Sequence, residues 1–272
     1  MGWLLVVPLV AYLALFLAYP TAHALRLAFT DPLTGGFPSI VNLETLWRDS
    51  LFWQAMVGNL VLPVLTLTIE LVAGLGLALL FATRLPARRW LRALVILPFA
   101  LPEIVFLTIM RWVLAPRGYA NAALAIAGFG PVDWLGAGRP LTFLVVAAVD
   151  AWHVTPVVFL VLLSALLAIP PEVNEAARLD GARGFAQLAL ITLPLLRPAL
   201  VAAVLLRGVD ALRVFATPLV LAGVEGLPVL SPYAYHQWSD YGNDGAAAAA
   251  ATVLAVLSVA LSVPLLRRRE AA

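Results

Sequence analysis

Long apolar runs separated by short polar stretches dominate this chain. A run of about 20 largely apolar residues is long enough for a helix to cross a lipid bilayer. Six such runs are predicted, at roughly 3–25, 57–82, 91–114, 141–168, 198–222 and 246–266. The second, from Asn59 to Ala82, carries one charge, Glu70; the sixth, from Ala246 to Leu266, carries none and begins with a run of alanines. Small side chains let helix backbones approach closely in lipid, so the sixth helix is expected to pack tightly. Prolines punctuate the spans at Pro98, Pro102, Pro156 and Pro218. A proline removes a backbone hydrogen bond and kinks a helix, and Pro98 and Pro102, followed by Glu103, read as a bend beside a path through the bundle. The longest polar stretch, about 26–56, reads as a loop with a short helix near 43–55. The pattern predicts an all-α polytopic membrane protein, a single transmembrane domain over residues 1–272, with no internal repeat.

Composition sharpens this. The chain is 63% hydrophobic and 12% charged, where soluble domains carry about 25% charged residues. It has no cysteine, which removes disulfides, thiolate metal sites and a Cys nucleophile; no metal site is expected. It also has no lysine, all 17 basic residues being arginine, so it cannot supply the Gly-Lys-Ser/Thr of a P-loop. If ATP drives it, another subunit binds the ATP. A net charge of +2 gives no reason to expect nucleic acid.

The arginines instead signal topology. Arg84, Arg88, Arg89 and Arg92 follow the second span, Arg178, Arg183 and Arg197 lie between the fourth and fifth, and Arg267 to Arg269 close the chain. With six spans these fall on one side, and the intervening loops hold only Arg26, Arg48, Arg117 and Arg139. The arginine-rich side is expected to be cytoplasmic, with both termini inside. The Ala22-His23-Ala24 stretch resembles a signal-peptidase site, but no basic residue precedes it, so the first helix is expected to be retained.

Residues 170–197 form the most polar segment between two spans. Pro170-Pro171 ends one helix and starts another, with proline in its favoured first turn. Glu172 and Glu175 sit near that N-terminus, where the helix dipole favours negative charge. Gly181 follows Leu179-Asp180, where a helix stops in a left-handed turn. A second short helix is expected over 183–192, ending before Pro194. The result is a helix-turn-helix knob with an alanine and glycine face and flanking charges.

The order Glu175-Ala176-Ala177, three residues, Gly181, nine residues, Ile191-x-Leu193-Pro194 resembles the signature loop of permease subunits of binding-protein-dependent ABC importers. The likeness extends from about residue 55 to the C-terminus and points to the carbohydrate-uptake group of the maltose and trehalose type. One motif departs: the group often has Thr-x-Gly-Gly-Pro after the fifth span, and this chain has Leu-Ala-Gly-Val-Glu-Gly-Leu-Pro ending at Pro228. Related permeases also usually carry a longer, basic N-terminus. The resemblance implies a type I permease fold in a bacterial or archaeal cytoplasmic membrane. It implies a second, non-identical permease, two ATP-binding subunits that hold ATP and magnesium, and an external solute-binding protein. By the same match Glu175, Ala176, Ala177, Asp180 and Gly181 couple the chain to its ATPase, and Trp152, His153, Val154, Asp210 and Arg213 mark the substrate path.

Glu70, Glu103, Asp150, Arg207, Asp210 and Arg213 fall in or near the spans. Each costs about 2.5–3.5 kcal/mol on insertion scales, so they must face the bundle, a partner or water. Arg207, Asp210 and Arg213 are three apart on a helix and read either as a self-neutralising triad or as a polar lining. Trp152 and His153 offer a sugar an aromatic face and a polar group. The two arginines also permit another solute, such as glycerol phosphate; a polyamine is a further alternative. A membrane enzyme using Asp150, His153 and Ser164 is the rival class. Yet Ser164 lies about 16 Å along the helix from His153, and no hydrolase motif is present, so no catalytic residues are assigned. A secondary transporter would need inverted repeats that the sequence lacks.

Overall fold

The structure is a computed structural model that describes residues 2–83, 86–136 and 140–270. Arg84 and Arg139, two of the arginines counted for orientation, lie outside the described residues, as do the side chains of Arg178 and Arg267 to Arg269. Among the described residues the chain is helical and has no strands. Helix α1 (Gly2–Leu13) runs through a π-turn (Ala14–Ala18) into α2 (Tyr19–Ala28). A short α3 (Val41–Arg48) precedes the long α4 (Ser50–Ala82). Next come α5 (Arg88–Ala100), α6 (Glu103–Val113), α7 (Tyr119–Ile126) and α8 (Pro140–Leu167). Helices α9 (Pro171–Leu179) and α10 (Phe185–Gln187) lead through a second π-turn (Leu188–Thr192) into α11 (Leu193–Leu212). The chain closes with α12 (Ala216–Leu221), α13 (Gly223–Gly226), α14 (Leu230–Ser239) and α15 (Asp244–Glu270).

Five of these stretches are long and apolar enough to cross a membrane: Val6–Ala28, Ser50–Ala82, Pro140–Leu167, Phe185–Leu212 and Asp244–Val263. The remaining expected span, the third, is the pair α5 and α6, bent by 96° at Leu101-Pro102. Pro102 has no N–H to continue the ladder, so the chain turns there and Pro102 caps the new helix.

Two expected boundaries moved. Helix α4 begins at Ser50 rather than near 57. The Asp49 carboxylate accepts the Leu51 N–H at 2.8 Å, and such an N-terminal cap starts a helix where the sequence is still polar. The fifth crossing was expected over 198–222, with a separate helix ending before Pro194. Instead one apolar helix runs over Phe185–Leu212 and stops at Arg213. The π-turn over Leu188–Thr192 widens the backbone ladder just before Pro194, which lets the helix continue through a residue that would otherwise end it.

The fold divides into two compact units, Met1–Asn59 with Pro228–Val259, and Leu60–Leu227 with Ala260–Ala272. In the first, Ala28, Leu46, Phe52, Ala55, Leu230 and Tyr233 pack on the alanine run of α15, where Ala246, Ala249 and Ala250 are buried. The close approach expected of the sixth span is realised there. The Asn42 amide donates to the carbonyls of Leu27, Ala28 and Thr30 at 2.8–3.2 Å, satisfying the end of α2. The Tyr233 hydroxyl donates to Asp49 at 2.6 Å, and burial with that neighbouring carboxylate pushes the phenol up, so it remains a donor. Gly58 lies against the Pro228 carbonyl, and a Cβ there would come 2.0 Å from that oxygen.

In the second unit α5 and α11 pack on α8, and α12 packs on α6. Phe81, Phe159, Leu162, Leu163, Ala78 and Ala203 form its apolar core. Gly74 of α4 lies so close to α8 that a Cβ would meet Val158 at 2.7 Å. The Asn121 side chain ties the loop after α7 together, bonding Pro116, both backbone groups of Val132, and Trp134.

Gly58→Ala should lower the stability of the purified protein by about 1–3 kcal/mol, because the clashing atom is backbone and cannot swing aside. The midpoint of thermal unfolding in detergent checks this. An unchanged midpoint means the close approach is absent.

Candidate functional site

A polar cavity of about 380 Å³ lies within the second unit. Its walls are Phe99 of α5, Glu103 of α6, Asp150, His153 and Val154 of α8, Arg207 and Asp210 of α11, and residues 213–216 at the break before α12. Four of the five residues expected to mark a substrate path, His153, Val154, Asp210 and Arg213, are thus brought together. Trp152 is not. It lies with Leu77, Leu94, Val95, Thr155 and Pro156 around a separate apolar cavity and meets Phe106 edge-on at 5.7 Å. Consecutive residues on a helix point about 100° apart, which is why neighbours in sequence parted company.

The intramembrane charges organise this cavity. Glu70 is fully buried, and both its oxygens accept from Arg207, from Nε at 3.1 Å and Nη2 at 3.2 Å. The remaining terminal nitrogen of Arg207, Nη1, donates to Asp210 at 3.1 Å. Of the two readings of Arg207, Asp210 and Arg213, the triad gives way to a Glu70–Arg207–Asp210 cluster, while all three line the cavity. Arg213 stands outside it because α11 ends at Leu212, and its side chain has no ion-pair partner among the described residues. Asp150 accepts a hydrogen bond from Thr217 at 2.7 Å, tying α8 to α12. His153 Nε2 lies 3.4 Å from the Leu101 carbonyl, which requires that nitrogen to carry the proton. Its ring stacks on Phe106 at 4.8 Å, so His153 holds the broken end of the bent span against α8.

The acid–base pair that an enzyme reading needs does not form: Asp150 is bonded to Thr217, His153 sits at Leu101, and the Ser164 hydroxyl donates to the Val161 carbonyl at 2.8 Å. Sequence reasoning missed Phe99, Phe215 and Thr217. Phe99 stands between Pro98 and the break, and Thr217 directly before Pro218, so proximity to the prolines was the available signal.

The second feature is the segment after α8. Helix α9 starts at Pro171, and its end is closed as expected: Gly181 has φ +85°, and the Ala182 N–H donates to the Ala177 carbonyl at 2.9 Å. Glu175, Ala176, Asp180 and Gly181 are exposed, whereas Ala177 is buried at 4% exposure and seats the helix on its own chain. Leu179 and Phe185 flank the turn at 89% and 81% exposure. Asn174 and Gln187 are linked at 2.9 Å, joining α9 to α10. Glu175 also borders a cavity of about 720 Å³ with the ends of α4 and α8 and the start of the α11 crossing.

Glu70→Ala should cost about 3–5 kcal/mol, because it leaves the Arg207 charge without its buried partner. Replacing both members, Glu70→Leu with Arg207→Met, should recover most of that loss. Thermal unfolding of Glu70→Leu, Arg207→Met and their double variant, as a double-mutant cycle, checks the coupling.

Comparison with known proteins accounts for this architecture. Residues 70–269 match the family model described as "Binding-protein-dependent transport system inner membrane component". The chain is 34% identical over 271 residues to the trehalose/maltose transport system permease MalF of Thermococcus litoralis, covering 95% of this chain and 90% of that one. It is 30% identical over 230 residues to the trehalose transport system permease SugA of Mycobacterium tuberculosis, covering 82% and 73%. Among solved structures it is similar in fold to a chain of a bacterial ABC transporter involved in import of the acidic polysaccharide alginate. The TM-score is 0.86 at 24% identity, over 98% of this chain and 94% of that one. A bent span, a capped helix between two crossings and a charged cavity thus belong to a member of the binding-protein-dependent transport system inner membrane component family, the membrane permease of an ABC importer.

Proposed function

We propose that this chain carries a saccharide across the cytoplasmic membrane after an external solute-binding protein delivers it. It works beside a second permease and two ATP-binding subunits. ATP and magnesium are held by those subunits, and this chain performs no covalent chemistry. The observation that carries the reading is α9: a helix closed by a left-handed glycine, presenting polar and apolar side chains at the junction of two membrane crossings.

In this reading Glu175, Ala176, Asp180 and Gly181 dock in the ATP-binding subunit, and Ala177 fixes the angle of the helix beneath them. Leu179 and Phe185 supply the apolar contact that exposed side chains at such a turn require. The arginine-rich loops and both termini face the cytoplasm. Closure of the ATPase dimer moves α9, and the motion reaches the cavity directly, since α9 joins α8 and the α11 crossing, two of its walls. The saccharide passes His153, Val154, Asp210 and Arg213, with the Phe99 and Phe215 rings offering apolar faces. Trp152, packed on Phe106, supports the bend from outside that space. The relatives named for trehalose and maltose transport favour a carbohydrate cargo.

Gly181→Trp should cut saccharide uptake at least tenfold and abolish stimulation of ATP hydrolysis by the binding protein, with the complex still assembled. A Cβ in the left-handed region costs about 1–2 kcal/mol, and the indole adds bulk at the turn. Uptake into proteoliposomes, with subunit content read by mass spectrometry, checks this. Wild-type uptake in the variant, or a purified complex with no nucleotide-binding partner, refutes the assignment.

A further inference from the structure

We propose that the cavity lined by Phe99, Glu103, Asp150, His153, Asp210 and Arg213 selects uncharged saccharides and turns away those bearing a carboxylate, sulfonate or phosphate. Asp210 is the residue that sets this preference. The inference rests on the reading of that cavity as part of a saccharide path.

An anion needs an uncommitted donor, preferably a guanidinium. The sequence offers two candidates, Arg207 and Arg213, and the fold withdraws one. Arg207 is already balanced by two carboxylates: Nε and Nη2 donate to Glu70 and Nη1 donates to Asp210, so three of its five N–H donors are taken and its charge is more than matched. Glu70 is fully buried, so a ligand cannot replace it. Asp210 is 53% exposed at its side chain and occupies the nitrogen that an entering anion could otherwise reach. Arg213 is then the only guanidinium on the lining without an ion-pair partner among the described residues, and it shares the cavity with Glu103, Asp150 and Asp210.

The balance of groups decides what fits. A carboxylate accepts hydrogen bonds and donates none, so Glu103 and Asp210 call for donors. Sugar hydroxyls donate as well as accept, and can meet both carboxylates and Arg213 at once. A uronate brings one more acceptor-only group and one more negative charge. It gains from Arg213 alone and is repelled by the carboxylates, in surroundings where apolar walls screen charge weakly. Phe99 and Phe215, 48% and 38% exposed, complete the fit for a neutral ring. A chain of the same fold serves an importer of an acidic polysaccharide, so the fold does not fix the charge of the cargo and the lining must.

The test is saturation-transfer NMR on the detergent-purified complex of both permeases and the ATP-binding subunits, without the binding protein. The probes are maltose, trehalose and lactose, each beside its 6-carboxylate. In the wild type at least one neutral sugar should show transfer at least tenfold above its carboxylate. Asp210→Asn, which removes a negative charge from the lining and from beside Arg207, should narrow that ratio tenfold. Glu103→Gln should narrow it less; Glu103 is exposed and has no ion-pair partner among the described residues, so this variant tests the idea if the first fails to assemble. Equal or preferred transfer to the carboxylates, or a ratio unmoved by both variants, overturns the charge selection. Transfer to no member of the panel overturns instead the reading of the cavity as a saccharide path.

Discussion

An arginine inside an apolar bundle must find a carboxylate, and Arg207 finds two. That requirement organises the second unit. Glu70 on α4 and Arg207 on α11 meet through both oxygens and two nitrogens, a geometry that a rotation of either helix would break. The pair therefore fixes which face α4 and α11 turn to one another. It also determines which charges are left to line the cavity: Asp210 is drawn to the third nitrogen, and Arg213, past the end of the helix, has no ion-pair partner among the described residues. Removing such ions from water costs several kcal/mol each, so a buried pair is better understood as setting register than as adding stability.

Around that fixed pair the backbone is irregular in ways that have local causes. Pro102 turns the α5–α6 crossing by 96°, and a histidine from α8 meets the exposed carbonyl at the turn. The π-turn at Leu188–Thr192 carries the helix through Pro194 and makes α10 and α11 one rigid crossing. Rigidity there matters for the proposed mechanism. A displacement of α9 is passed along a continuous helix to Arg207 and Asp210 rather than absorbed in a loop, which is what the shorter fifth span expected from hydropathy would have allowed.

Much of this could be read from the chain. The all-α class follows from run length, and the polar segment at 170–197 from its charges. The α9 stop follows from Gly181, because only a residue without Cβ takes φ +85° without strain. The cavity residues on α8 and α11 were legible as ionisable groups that lipid does not tolerate. What escaped was partner choice. Spacing of three pairs Arg207 with Asp210 and Asp210 with Arg213 equally well, and nothing in the local sequence says that Glu70, 137 residues away, takes the guanidinium or that the helix ends before Arg213. Trp152 lies apart from His153, around a separate cavity, because the helical twist turns consecutive side chains in different directions.

The same limit bears on the cargo. Counted along the sequence, two arginines in the fifth crossing make an anion an acceptable passenger. Counted by the charge each already balances, one arginine remains unpaired among the described residues, in a cavity shared with three acids. The difference arises from a single buried residue that never touches the cavity. In the proposed selection Glu70 acts at a distance, by balancing the charge of Arg207 before a ligand meets it. A homologous permease with an apolar residue in its place would leave Arg207 paired with Asp210 alone, and the same lining would then have one negative charge fewer behind it against an anionic cargo.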